Sequence, residues 1–229
     1  MGSVIVEIRA AEGGDDAKSL VYEQLRIYQK MASRLQPPGQ LELFETSDGY
    51  VSFRAGWPSA DRDFRNEGGG HRWQRVPPNE RRGRVHTSTV TVAVLPEPTE
   101  RELHIDERDL EITTTRGSGP GGQARNKTES CVIARHRPSG LTVRCDSQRS
   151  QPQNRASAIA LLRARLMEAA RAGAKSAMDT DRRSQVGSGM RGDKIRTVRT
   201  QDGIVTDHRL NRKMRLRDYE AGDMSEFQR

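Results

Sequence analysis

Apolar and polar residues recur along this chain at spacings that mark out many of its elements. Val4-Ile5-Val6-Glu7-Ile8 reads as a strand, which Gly13-Gly14 breaks. A helix is expected from Asp15-Asp16 to about Leu35, because Val21, Leu25, Tyr28, Ala32 and Leu35 fall on one helical stripe. Asp15 and Asp16 suit its N-cap and first turn, where carboxylates meet free N–H groups and the positive end of the helix dipole. Pro37-Pro38-Gly39 stops it. Residues 41–45 and 50–55 then read as a hairpin around Ser47-Asp48-Gly49.

Residues 57–84 show little periodicity and are rich in Gly, Pro, Arg and Asn, which predicts a long loop, functional or disordered. Residues 85–95 form the clearest strand pattern. His86, Ser88, Val90, Val92 and Val94 lie on one face, with Thr87, Thr89 and Thr91 on the other. Pro96-Glu97-Pro98 begins a charged linker to about Asp109.

A second unit is expected beyond it, with strands over 110–115, 130–135 and 141–145 and a turn at Pro138-Ser139-Gly140. A long helix should cover roughly residues 153–175, burying Ile159, Leu162, Leu166 and Ala170. Residues 179–199 are Arg-, Gly- and Ser-rich and read as a linker or an RNA-ordered arm. Residues 198–209 suggest a final strand, and the polar end, 220–229, is expected to fray.

Composition sharpens this picture. The chain has 229 residues, a formal net charge of +8 and few aromatics, so several thin layers are favoured over one thick core, and a polyanion is the natural partner. Between Arg116 and Arg155 eight Lys and Arg face two acids, Glu129 and Asp146. Cys131 and Cys145 have no metal-ligand spacing. They fall nearly opposite on a hairpin, which allows a disulfide, although half-buried reduced thiols are the preferred reading. No apolar run is long enough to span a membrane, and no metal or cofactor is expected.

The most concentrated signal is Gly117-Ser118-Gly119-Pro120-Gly121-Gly122-Gln123, four glycines and a proline in seven residues. Glycine permits positive φ and close backbone approach, so the stretch reads as a bare loop that offers amides and one glutamine. No Ser or Cys nucleophile with a base and an orienting group accompanies it. His71, His86, His104, His136 and His208 are scattered, and the order of a P-loop is missing. Gln123 does not titrate and cannot be a general base. It can orient a water, and its backbone N–H can stabilise an oxyanion, which suffices for an activated ester if a partner supplies the rest.

The longer stretch from Gly117 through Ala124-Arg125-Asn126-Lys127-Thr128-Glu129-Ser130 resembles the catalytic loop of bacterial class I peptide chain release factors, as does Arg149-Ser150-Gln151-Pro152-Gln153-Asn154-Arg155. The likeness extends to Gly69-Gly70-His71-Arg72-Trp73-Gln74-Arg75-Val76-Pro77, Gly83-Arg84-Val85-His86-Thr87-Ser88, Gly187-Ser188-Gly189-Met190-Arg191 and Val205-Thr206-Asp207-His208-Arg209. Near the start, Glu7-Ile8-Arg9-Ala10 and Gly13-Gly14-Asp15-Asp16 match too. The similarity is collinear over almost the whole chain.

The resemblance implies a translation termination factor that acts in the cytoplasm. It would trigger peptidyl-tRNA hydrolysis only together with the ribosome, with ribosomal RNA of both subunits, an mRNA stop codon and peptidyl-tRNA as partners. Gly121 and Gly122 would shape the catalytic loop, Gln123 would supply the backbone donor, and a glutamine methyltransferase would modify Gln123. Gly13 and Asp16 would lie at the helix tip that reads the first base, His86 would stack on the second, and Gln74 with Thr87 would inspect the third. Pro77-Pro78-Asn79 resembles the Pro-x-Thr tripeptide of the UAA/UAG-reading type, with Asn79 where threonine is usual. Asp16 stands in place of glutamate, and Ala124-Arg125 in place of His-Val.

Family members carry an N-terminal helical domain ahead of the segment that starts here at Val4, and either the protein naturally lacks it or this sequence is a piece of a longer chain. The implied fold is α+β, a discontinuous decoding unit (1–108 and 190–229) with an inserted α/β domain (109–189) that carries the Gly-Gly-Gln loop. Two other readings stay open. One is a ribosome-rescue factor with relaxed codon dependence, favoured by Asn79 and the missing N-terminal domain and disfavoured by Gln74, His86 and Thr87. The other is a non-catalytic ribosome-binding competitor, disfavoured by the intact Gly121-Gly122-Gln123.

Overall fold

The structure, a computed structural model, describes residues 2–97, 106–116 and 128–228. The chain divides into two compact units, residues 1–98 with 178–229 and residues 99–177. These boundaries fall earlier than the 108/109 and 189/190 of the sequence reading.

The first unit is built on an eight-stranded sheet. In chain order its strands are β1 (Val4–Ala10), β2 (Leu41–Ser47), β3 (Tyr50–Ala55), β4 (Gly69–Arg75), β5 (His86–Pro96), β9 (Lys194–Arg199), β10 (Ile204–Asp207) and β11 (Arg212–Arg215). Their spatial order is β11-β10-β9-β4-β5-β1-β3-β2, antiparallel except for the parallel pair β4/β9. Helix α1 (Gly14–Ser33) packs on one face. Leu20, Val21, Ile27, Tyr28 and Met31 meet Val6, Ile8, Phe53, Val90 and Val92, all buried in one cluster. Each such side chain contributes about 1.5–3 kcal/mol of transfer free energy. A short helix α2 (Ala60–Phe64) adds Phe64, whose ring lies edge-on to Tyr28 at 5.1 Å.

Several expectations fail in this unit. Residues 57–84 contain α2 and the central strand β4, and residues 179–199 are helix and strand. At β4 and β9 the apolar pattern is broken because buried charged and polar groups are interleaved with the apolar ones. Arg196 of β9 is fully buried, with Nη1 donating to Glu67 at 2.7 Å and Nη2 to Asp207 at 3.0 Å, and it lies 4.3 Å over the Phe227 ring. Its neighbour in register, His71 of β4, donates from Nε2 to the Glu67 carbonyl at 2.9 Å. Buried charge is tolerated only when paired in this way. The C-terminal end is likewise packed. Helices α4 (Leu216–Glu220) and α5 (Ser225–Gln228) follow β11, and Met224 and Phe227 are buried.

The second unit has a three-stranded antiparallel sheet of β6 (Leu110–Thr115), β7 (Cys131–His136) and β8 (Thr142–Cys145). Helix α3 (Gln151–Val186) begins here, and its Ala158, Leu162 and Leu166 close a core with Val132, Ala134 and Val143. Ala170, expected in this stripe, is exposed, and Ile159 is half-buried. The helix runs well past the expected residue 175. Its last turns belong to the first unit, where Arg182 binds Glu7 at 2.7 Å and the Gln185 amide exchanges hydrogen bonds with the Val94 backbone. Cys131 and Cys145 are free thiols, and no described helix is long and apolar enough to cross a membrane.

Candidate functional site

The residues singled out between 13 and 87 converge on one end of the large sheet. Backbone pairing sets the approach: Ala11 N–H donates to the Thr89 carbonyl at 3.0 Å and Thr89 N–H to the Glu12 carbonyl at 2.6 Å. This seats the N-terminus of α1 beside Ser88. Gly13, the N-cap, has φ 132°, and a Cβ there would lie 2.4 Å from Ser88 Oγ. Only glycine fits both demands. The N-cap is thus a glycine with no capping side chain, while Asp15 and Asp16 occupy the first turn.

Asp16 is turned inward rather than outward. Its Oδ1 accepts from Arg75 Nε at 3.0 Å and Nη2 at 2.7 Å. Arg75 Nη1 also reaches both oxygens of Glu23, at 2.7 and 2.8 Å. Burial opposes the charge on Arg75, but the bonds to Asp16 and Glu23 outweigh it and raise its pKa. The pair therefore ties the first turn of α1 to the last residue of β4.

Register places Gln74 opposite Thr87 and Arg75 opposite His86. Paired residues share a face and neighbours along a strand alternate, so His86 and Thr87 lie on opposite faces. His86 belongs to the α1 side, with Arg75 and Ser88. Gln74 and Thr87 belong to the other. Gln74 Oε1 accepts from Arg199 Nε at 3.1 Å, and its backbone carbonyl accepts from Thr200 N and Oγ1, each at 3.1 Å. A groove of about 160 Å³ opens beside it, lined by Gln74, Val85, Arg199, Gln201 and Asp202. The same face is rich in cations. Burial and then Arg199 lower the Arg72 pKa, while burial, Lys194 and Arg72 push His208 down. Such a surface attracts polyanions.

The connection from β4 to β5 folds around Glu80, which sequence reasoning missed. Pro77 is buried and its carbonyl accepts from Glu80 N–H at 3.0 Å, leaving Asn79 exposed in the turn. Glu80 Oε1 accepts from Arg82 N–H at 2.7 Å, and Oε2 accepts from Arg84 Nη2 at 3.0 Å and meets His86 Nε2 at 2.9 Å. The Arg82 N–H first and then Arg84 hold the Glu80 carboxyl below its ordinary pKa. The spacing Glu80, Arg84, His86 was a readable signal, four and six residues apart in a segment with no other acid. Arg199 offered none, because its partner is reached only across the β4/β9 pairing.

Gly121, Gly122 and Gln123 lie outside the described residues. Their flanks do not. Thr115 pairs with Cys131, so both ends of the segment are anchored on neighbouring strands. Asn154, fully buried, donates from Nδ2 to the carbonyls of Ser130 at 2.7 Å and Gln148 at 2.9 Å, and its Oδ1 accepts from Gln148 N–H at 2.9 Å. Gln151 adds a bond to the Glu129 carbonyl at 2.9 Å. The Arg149–Arg155 motif therefore braces the residues that lead into β7. Among the described residues no His, Cys, Asp and Glu side chains gather at metal-ligand distances.

Comparison with known proteins agrees with this architecture. Residues 1–92 match the PCRF domain and residues 99–209 the RF-1 domain. Peptide chain release factor 1 of Caldicellulosiruptor saccharolyticus is 43% identical over 232 residues, covering 98% of this chain and 65% of the relative. That of Clostridium perfringens (strain SM101 / Type A) is 42% identical over 230 residues, covering 98% of this chain and 64% of the relative. The chain therefore spans a little under two thirds of the length of these relatives. Among solved structures, RF2 of Thermus thermophilus superposes with a TM-score of 0.56 at 30% identity, over 99% of this chain and 67% of that one.

Proposed function

The chain belongs to the bacterial class I peptide chain release factors, and on that premise we propose that it terminates translation by reading UAA or UAG in the ribosomal A site and triggering hydrolysis of the peptidyl-tRNA ester. The observation that carries this reading is the convergence of Gly13, Gln74, His86 and Thr87 at one sheet end, with His86 and Thr87 on opposite faces. In this reading the uncapped N-terminus of α1 offers backbone N–H groups to the first base, a common way of meeting a base edge in single-stranded RNA. His86, its ring nitrogen held by Glu80, stacks on the second base. The third base leaves that stack and crosses to Gln74 and Thr87, which hydrogen-bond its edge. Asp16 acts on this site only through Arg75, by fixing where the helix begins. Pro77 and Asn79 supply the turn next to the first two bases.

Gln123 contributes its backbone N–H to the oxyanion, and Gly121 and Gly122 give the loop its shape. Ribosomal RNA of both subunits, the stop codon and peptidyl-tRNA are the partners. A glutamine methyltransferase is a further one, with Gln123 as its target. The cytoplasm is the place of action.

Release from stop-codon ribosome complexes by the natural chain and by Gln123→Pro tests this. Proline removes the N–H, so the variant should bind the complex and release no peptide. Normal release by the variant contradicts the backbone-donor role, and binding without release by the natural chain favours the competitor. A rescue factor is the second reading, supported by Asn79 where the family's tripeptide carries threonine.

A further inference from the structure

We propose that Arg199 sets the third-position preference of this site toward guanine, by fixing the amide of Gln74 with its oxygen turned to the guanidinium and its NH2 left for the base. The inference rests on the assignment of Gln74 and Thr87 as readers of the third base.

The orientation follows from chemistry. A guanidinium has five N–H donors and no acceptor, so the group facing Arg199 Nε at 3.1 Å must be the amide oxygen of Gln74. The backbone holds the two residues in register on the parallel strands β4 and β9, and Thr200 clamps the Gln74 carbonyl through two bonds at 3.1 Å. Gln74 Nε2 has no partner among the described residues, nor do the terminal nitrogens of Arg199, and both side chains line the 160 Å³ groove.

A base that approaches meets donors. Guanine presents two acceptors, N7 and O6, on its Hoogsteen edge, whereas adenine presents N7 and the N6 amino donor. The paired arrangement in which a glutamine binds adenine uses the amide oxygen to accept from N6 and the nitrogen to donate to N7. Here that oxygen already accepts from Arg199, so adenine N6 would have to share it through the second lone pair. Guanine suffers no such conflict, and the free guanidinium nitrogens match its O6 and N7. Thr87 hydroxyl accepts or donates and serves either base. Asp202 is the acceptor-only side chain of the groove. It sits exposed in the turn closed by Gly203 N–H and the Thr200 carbonyl, where water competes for it.

The test is the KM and kcat for peptide release at UAG and UAA, at one fixed salt concentration, for the natural chain, Arg199→Ala, Arg199→Lys and Asp202→Asn. The natural chain should have the lower KM at UAG. Arg199→Ala should move the UAG/UAA ratio toward UAA by about tenfold, the scale of one base-edge contact, with kcat equal at the two codons. Lysine, which also only donates, should restore most of the preference. Release at both codons with a ratio unchanged in Arg199→Ala, or shifted only by Asp202→Asn, overturns the role of Arg199 and leaves the release function standing. No release by the natural chain at either codon removes the premise and the inference together.

Discussion

Gln74 and Thr87 face each other across β4 and β5 on the side of the sheet away from α1, while His86, one residue earlier, lies on the α1 side. A trinucleotide read by all three residues cannot run as one continuous stack. On the proposed reading it parts at His86, with two bases on the helix side and the third on the side of Gln74. Strand alternation puts the side chains on these two faces.

Gly13 should tolerate no side chain. Alanine there puts Cβ 2.4 Å from Ser88 Oγ at φ 132°, a region that costs an L-residue about 1–3 kcal/mol. Urea unfolding of Gly13→Ala should show a loss of that order. Adding Ser88→Gly should recover part of it, since the strain in φ remains. An unchanged midpoint would mean that α1 does not start against Ser88.

Glu80 should matter for binding and not for chemistry. Glu80→Ala removes the acceptor shared by Arg82, Arg84 and His86, so the turn at Asn79 loosens and the imidazole turns freely. The KM for release should rise while kcat holds. Equal losses in kcat would argue that this turn acts after decoding.

His71 predicts a pH dependence. Burial first, and then the charge of Arg196, lower its pKa to about 4 from 6.5, so it is neutral in the folded chain. The unfolded chain takes up a proton below pH ~6.5 that the folded chain refuses, so stability falls as pH drops through this window. The loss between pH 7 and pH 5 should be about 2 kcal/mol by urea unfolding. His208 shifts in the same direction, so His71→Gln isolates the contribution: its slope over this window should be much shallower than that of the natural chain.

Patterning revealed those elements whose buried residues are apolar. Val6 and Ile8, the α1 stripe through Leu25 and Tyr28, and Val90 and Val92 all sit where alternation or helical spacing put them. It failed at β4 and β9, two adjacent strands in the middle of the sheet. Their inward groups include His71, Arg75 and Arg196, which a polarity pattern assigns to solvent, and their partners Asp16, Glu67 and Asp207 come from other elements. At the site, Gln74, His86 and Thr87 were visible only through likeness to a family. Composition had offered no reason to prefer them over His71 or Thr89, which are buried. Glu80 was readable from its spacing to Arg84 and His86. Arg199 was not, because a parallel strand pairing joins it to Gln74 across more than a hundred residues.

The central claim, that the bases of a stop codon admit this chain to act, is tested most directly by peptide release from purified ribosome complexes carrying UAA, UAG, UGA or a sense codon in the A site. Release at UAA and UAG, with none at UGA or the sense codon, is the predicted result. Equal release at the sense codon would contradict the reading and leave a rescue factor whose groups at Gln74, His86 and Thr87 do not decide its action.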